Sequence, residues 1–344
     1  MKRIFPILLL VVSVTFISKS HAQEASDSAY YVSYPEKLTT RFYFTRKYTS
    51  VRLKEKTGAY DLTFMPNTMV NMGIGATYQD ITLNLAYGFG FLNPDRGRGD
   101  GKFLDLQAHL YPKNFVIDFF GQFYKGFYIP MQEPLLTLGG DRYLTLPDMR
   151  TQKIGASIQY ILNPEKFSFR AAFLQHEWQQ RSGSTFLLGF EMYGGQAINE
   201  LGIVPTVLLN SIDDGFNRIR FFEFGPNVGY AATLVIKKHF FLTGSLSTNL
   251  SLGYSTLEKE SATETAWGVN PNLFSRVFAG YNSAQWSVNA NYVLNTVNLQ
   301  AVDRVGSSFM TGNYRLNFVY RFLPGPKLNK YLRIIDDTKA KYGI

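Results

Sequence analysis

The feature that most constrains this chain is a period of two held for ten residues or more. From Phe241 to Tyr254 the even positions are Leu242, Gly244, Leu246, Thr248, Leu250, Leu252 and Tyr254. The odd ones, after Phe241, are Thr243, Ser245, Ser247, Asn249, Ser251 and Gly253. Successive side chains of a strand point to opposite faces, so the run presents one greasy face and one small, polar face. Ile81–Phe91 and Trp286–Asn295 repeat the pattern. Soluble strands average about five or six residues, whereas a tilted strand needs about ten to cross hydrocarbon. Such runs predict an all-β fold, a transmembrane antiparallel up-and-down β-barrel.

Composition agrees. Aromatics are 16% and charged residues only 18%, yet mean hydropathy is near zero. A helical membrane protein would be far more apolar, and alternating faces average to this value. The formal charge of +9 does not suggest nucleic acid, because no Lys/Arg stripe with interleaved aromatics appears. There is no cysteine, which suits an oxidising compartment and a fold without disulfides.

Met1–Ala22 reads as a cleaved secretory signal. Lys2 and Arg3 open it, Ile4–Ile17 is apolar, and Ser20-His21-Ala22 offers small residues for cleavage before Gln23. The domain reading is a signal at 1–22, a periplasmic N-terminal segment at 23–39, a barrel at 40–322 and a periplasmic tail at 323–344. The expected location is the bacterial outer membrane.

Connections alternate in length. Short turns fall at Gln79-Asp80, Pro112-Lys113, Asn163–Lys166, Lys237-Lys238 and Asn282–Ala284. Longer links run over Asn93–Lys102, Lys125–Arg150, Trp178–Ser184, Ser255–Ala266 and Asn298–Gly312. Short turns belong to the periplasmic side. Keeping them all there requires ascending strands near Thr40–Leu53 and Ile198–Leu209, which gives about 14 strands, or 12 if either segment is a loop. Pro66-Asn67, Pro226-Asn227 and Pro271-Asn272 mark strand starts or bulges, since proline cannot donate to a ladder. In the last strand Tyr314, Leu316, Phe318, Tyr320 and Phe322 alternate with polar residues. An aromatic-ended final strand resembles the signal read by the barrel-assembly machinery, an expected partner beside outer-membrane lipid. The Lys-rich tail from Leu323 is expected to be disordered or loosely helical, or to contact a periplasmic partner.

Asn163-Pro-Glu-Lys-Phe-Ser-Phe-Arg-Ala-Ala-Phe-Leu-Gln-His-Glu-Trp-Gln-Gln-Arg-Ser-Gly-Ser184 resembles a signature of an uncharacterised outer-membrane barrel family of Bacteroidota, domain of unknown function 4421. Thr45–Ser50, Tyr124–Tyr128, Leu146–Arg150, Gly202–Pro205 and Gly225–Tyr230 with Val235–Phe241 look similar in the same order. Met149, and Trp178 and Gly183 in the polar run, depart from the pattern. The resemblance implies architecture and location but no activity.

With the greasy face outward, the lumen gains Asp105, His109, Asp118, Arg170, Glu191, Arg276, Arg315 and Arg321. These either pair and fill the interior, as buried charges must, or form a selectivity ring in an open channel. Arg170 is expected to be central, mid-strand in the most family-like segment. The long link Lys125–Arg150 carries Phe127, Tyr128, Ile129, Met131, Leu135, Leu136, Leu138, Tyr143, Leu144 and Leu146, too apolar for a solvated loop. It is expected to cover the rim, plug the lumen or bind an apolar ligand. Catalysis has few candidates: His109, His239, and His176-Glu177 near Ser182 and Ser184. Asp95–Gly101 lacks the alternating acids of a calcium loop. No enzyme activity, cofactor or metal is expected. The leading expectation is a narrow channel or transporter for small solutes; the alternatives are uptake of an apolar ligand, a structural or assembly barrel with a filled lumen, and a lipid hydrolase.

Overall fold

The computed structural model describes residues 29–332 apart from 80, 95–96, 113, 131–141, 207–208 and 210–214. The leader Met1–Ala22, the tail beyond 332, and Met131, Leu135, Leu136, Leu138, Asp95 and Arg96 lie outside the described residues. In chain order the strands are β1 (Tyr31–Ser33), β2 (Leu38–Glu55), β3 (Asp61–Pro66), β4 (Asn71–Tyr78), β5 (Ile81–Tyr87), β6 (Lys102–Leu110), β7 (Phe115–Pro130) and β8 (Tyr143–Ile161). A single turn of helix, α1 (Phe169–Phe173), then precedes β9 (Glu177–Gln179), β10 (Gly183–Ile198), β11 (Arg218–Ile236), β12 (Phe240–Glu258), β13 (Thr263–Asn282), β14 (Trp286–Asn298) and β15 (Val305–Phe322).

Ten strands close a ring in the order β2-β3-β7-β8-β10-β11-β12-β13-β14-β15, and β15 returns to β2 along Val305–Phe322. Closure gives each long strand a partner on both sides over part of its length, although β13 has none on the β14 side before Leu273. β2 is shared: Val51–Lys54 pair with β3, and Thr39–Thr45 pair with β4. β5 adds to β4, and β6 adds to the free edge of β7. The upper ring is therefore complete, while β4, β5 and β6 widen the wall below it. Among the described residues no ladder joins β5 to β6.

The 14 strands expected from the sequence are not what the ladders give. Two segments account for the difference. Residues 163–182, read as the turn Asn163–Lys166, a strand carrying Arg170 and the start of the link Trp178–Ser184, fold inward as a plug carrying α1 and β9. Ile198–Leu209, read as an ascending strand, is the end of β10 and part of the link 199–217. The link Trp178–Ser184 consequently lies at the short-turn end: the Trp178 indole donates to Lys238 O at 2.8 Å and the Ser182 hydroxyl accepts from Val235 N at 2.9 Å.

The turn end is tight because its residues tolerate it. Lys237 and Lys238 both have positive φ, 51° and 65°, and Ile236 O accepts from His239 N at 3.2 Å. That is the mirror-image turn whose twist suits a hairpin. Toward the loop end β7 bulges between Lys125 and Phe127. Gly126 sits there at φ 86°, where a Cβ would collide with the Asp100 carbonyl.

The wall changes polarity along its length. Near the turns, the outward faces are apolar (Ile154, Ile158, Val228, Leu234, Leu242 and Leu246), and inward Ser245, Ser247, Asn249 and Asn289 are buried. Toward the loops the order inverts. Arg52, Lys54, Arg150, Gln152 and Arg220 face outward, while Leu53, Phe64, Met149, Ile219 and Phe309 form an apolar core with Ile203, Val204, Phe216, Leu299 and Val302 from the links. β8, β11 and β12 have 19 residues each, nearly twice the roughly ten that span hydrocarbon. Their upper halves thus build an ordinary soluble core above the apolar band.

Candidate functional site

The interior is built in three storeys, and the lowest is the plug. Ser168 caps α1 by accepting from Ala171 N at 3.0 Å, a common way to satisfy a first-turn amide. Arg170-Ala171-Ala172 favour helix, and Phe169 and Phe173, four residues apart, share one face. That face meets Tyr111, whose ring lies 6.1 Å from Phe169 and 5.0 Å from Phe173. Two wall arginines hold the far end of the turn. Arg41 Nη2 donates to Leu174 O at 3.0 Å, and Arg321 Nε donates to Gln175 O at 2.5 Å. Arg321 also reaches Ser283 O at 2.5 Å and Asn282 Oδ1 at 2.8 Å. β9 then pairs with β1, so the N-terminal segment joins the plug. The Ser33 hydroxyl donates to Glu177 Oε1 at 2.8 Å and that of Ser168 donates to Glu177 Oε2. The Tyr31 hydroxyl donates to Pro164 O at 3.0 Å, and burial, with Glu177 and Glu165 beside it, pushes that phenol well above its ordinary range.

This places Arg170 differently from the sequence reading. It is on α1 and not mid-strand. Its Nε donates to Tyr111 O at 2.7 Å, and Nη1 lies 3.8 Å from Glu177 Oε1. Its work is to tie the plug to the turn after β6.

The middle storey gathers most of the remaining predicted residues. Asp118 is bridged by Arg276 Nη2 at 2.6 Å and by His109 Nδ1 at 2.6 Å. Both Arg276 and Asp118 side chains are 1% exposed. Arg276 also lies 3.7 Å from the Phe274 ring centroid and faces Phe169 and Phe173 of the plug. Glu191 accepts from Tyr193 Oη and Asn227 Nδ2, each at 2.7 Å. Asp105 stands apart from that cluster. It accepts from Tyr124 Oη and from Gln122 Nε2 at 3.3 Å, with Lys47 Nζ at 3.6 Å. Arg315 lies over the Tyr43 ring, 3.7 Å from its centroid.

Sequence reasoning missed Lys153 and Glu223. Lys153 Nζ donates to Asn295 Oδ1 at 2.7 Å and Thr311 Oγ1 at 3.2 Å, while Glu223 accepts from Asn272. Inward alternation through Met149, Thr151, Lys153, Ser157 and Gln159 would have flagged the lysine. The Pro-Asn pairs carried a second signal, because Asn227 and Asn272 are the donors to the two buried glutamates. None of the three prolines starts a strand: Pro66 ends β3, and Pro226 and Pro271 lie inside β11 and β13, where the β11–β12 register is interrupted at 225–226.

Above lies the apolar cap. Phe127 and Ile129, from the link expected to cover the rim, belong to it at 1% and 3% exposure. They sit on a β7 that extends to Pro130, facing a β8 that begins at Tyr143.

The histidines meet structural partners. His176 Nδ1 lies 3.3 Å from Thr39 Oγ1 inside the plug, and His239 stacks on Trp178 and Tyr281. Among the described residues no group of three His, Cys, Asp or Glu could hold a metal ion. Tyr314, Leu316, Phe318 and Tyr320 face outward, with Phe322 at the strand's end.

Known structures that resemble this chain are outer-membrane barrels. The outer-membrane protease OmpT of Escherichia coli matches at 11% identity and TM-score 0.37, covering 84% of this chain and 97% of that one. The translocator domain of the autotransporter NalP of Neisseria meningitidis matches at 8% and 0.35, covering 83% and 88%. The TodX monoaromatic hydrocarbon channel matches at 7% and 0.31, covering 84% and 91%. No curated protein matches the sequence. A family model described as a domain of unknown function, DUF4421, matches residues 25–322, and the chain belongs to that family.

Proposed function

We propose that the chain is a barrel of the bacterial outer membrane whose axis is filled, so that it does not serve as an open channel. The apolar outward band, the short-turn and long-link asymmetry and the outward aromatic face of β15 support the location. One observation carries the closure. The fully buried Asp118–Arg276 pair, supported by His109 and the plug rings, lies midway along the axis. A selectivity ring must leave its charges solvated enough for ions to enter and leave. These charges are consumed by one another, which favours the filled-barrel alternative over a channel.

Proteoliposome swelling tests this. Vesicles carrying the wild type should swell in arabinose no faster than empty ones. Replacing Arg41 and Arg321 together by Ala should loosen the plug and raise the rate. Equal, fast swelling of both proteins would refute axial closure.

A further inference from the structure

Among the described residues β5 pairs only with β4 and β6 only with β7, which leaves a slot through the wall. The outer faces beside it are apolar, with Leu83, Leu85 and Tyr87 on β5 and Leu106 on β6. Above the slot the link 88–101 is pinned to the break between β3 and β4. The Asn93 side chain accepts from Val70 N at 2.7 Å and donates to Val70 O at 2.9 Å. An open strand edge does not persist against hydrocarbon, and is tolerated only where it borders protein or a polar cavity.

Such a cavity lies behind β6. It measures about 50 Å³ and is lined by Gln107, His109, Asn291, Asn313, Arg315 and Phe173, among others. Arg315 has fewer polar partners than the other interior arginines, Arg41 sharing its unpartnered Nε but bonding Thr77 and Leu174 through Nη2. Arg315 Nε and Nη2 are sealed from solvent without a hydrogen-bond partner, and no carboxylate lies within ion-pair distance among the described residues. Arg276 has Asp118, and Arg321 has three oxygens. A half-buried guanidinium that stacks on Tyr43 but leaves two N–H groups unpartnered favours an anion that it can grip in two places.

We propose that the β5–β6 slot admits the carboxylate head of a fatty acid from the surrounding bilayer onto Arg315, while its chain stays along the outer faces of β5 and β6. Size selects this class. At roughly 10–15 Å³ for each water-sized group, the cavity holds about three to five such groups. A carboxylate fits, and a phospholipid headgroup does not. The inference rests on the membrane location proposed above and is independent of axial closure.

The test is equilibrium binding to the full protein in phosphatidylcholine nanodiscs, with oleate, oleyl alcohol and acetate as probes. Oleate should bind about tenfold more tightly than oleyl alcohol, the scale of one charge-assisted contact. Arg315→Gln should abolish that preference and Arg315→Lys should keep part of it. Acetate at millimolar concentration should not displace oleate. Should Arg315→Gln fail to insert, Asn291→Phe, which fills the cavity from β14, should weaken oleate about as much, whereas the outward Val288→Phe should not. Equal binding of oleate and oleyl alcohol, oleate binding unchanged in Arg315→Gln or in Asn291→Phe, or displacement by acetate would each overturn the proposal. Failure here with no sugar flux leaves the filled barrel standing. Oleate binding together with fast swelling would sink axial closure alone.

Discussion

At the scale of single residues, the interior is governed by what a charge requires once water is gone. Asp118 keeps its carboxylate buried because Arg276 and His109 both reach it at 2.6 Å. Removing one partner of a buried pair costs about 3–5 kcal/mol, whereas replacing both with apolar groups can be nearly neutral. Arg276→Ala should therefore lower the unfolding free energy by about that amount in urea titration. Arg276→Met with Asp118→Leu should cost much less; if the double variant were the less stable, the pair would be adding net stability instead. Gly126→Ala makes a separate claim. With φ at 86° and the Asp100 carbonyl in the way, it should cost about 1–3 kcal/mol, and a midpoint equal to wild type would show that the bulge relaxes. Residue by residue, inward placement was legible where alternation was unbroken, as for Asp105, Asp118 and Arg276. It was illegible for Arg170, because the same polar–apolar beat can be met by a helical turn when a serine cap and paired alanines are present.

At the scale of elements, Phe241–Tyr254 and Trp286–Asn295 lie within β12 and β14 as read, because period two held there without a break, whereas the run Ile81–Phe91 leaves the sheet after Tyr87 and its Gly90–Leu92 form a single 3-10 turn. The plug was misread. Its residues 163–182 have strand-like length and flanking turns, and only tertiary partners turn them inward: Arg41, Arg321 and Tyr111, which are distant in sequence. Those partners make a prediction. Arg170 is the trypsin site held inside the plug, whereas Lys166 and Arg181 are exposed at the turn end, and the plug's wall contacts should protect Arg170. Trypsin applied to the turn-end face should spare the bond after Arg170 in the wild type and cut it in Arg41→Ala/Arg321→Ala, read by mass spectrometry. Equal protection of both would mean that the arginines do not hold the plug. The count of strands failed for the same reason. Parity reasoning assumed that every segment between turns crosses the wall, and one segment turned inward while another remained a link.

At the scale of the whole molecule, the barrel is two environments stacked end to end. In the outward apolar band the interior is polar, and above it the interior is apolar and the exterior charged. The sequence carried this inversion in single strands, for instance Asp148, Arg150 and Gln152 against Ile154, Ile158 and Tyr160 along one face of β8. It could not say whether the polar interior was open, since serines and asparagines line wet channels and dry networks alike. Side-chain packing favours the dry network, with Lys153, Arg276 and Arg321 each at 1% exposure or less. The most direct test is the current through wild-type protein in a planar bilayer at modest voltage. A closed axis predicts silence apart from rare, brief openings, and a steady ohmic conductance would contradict it.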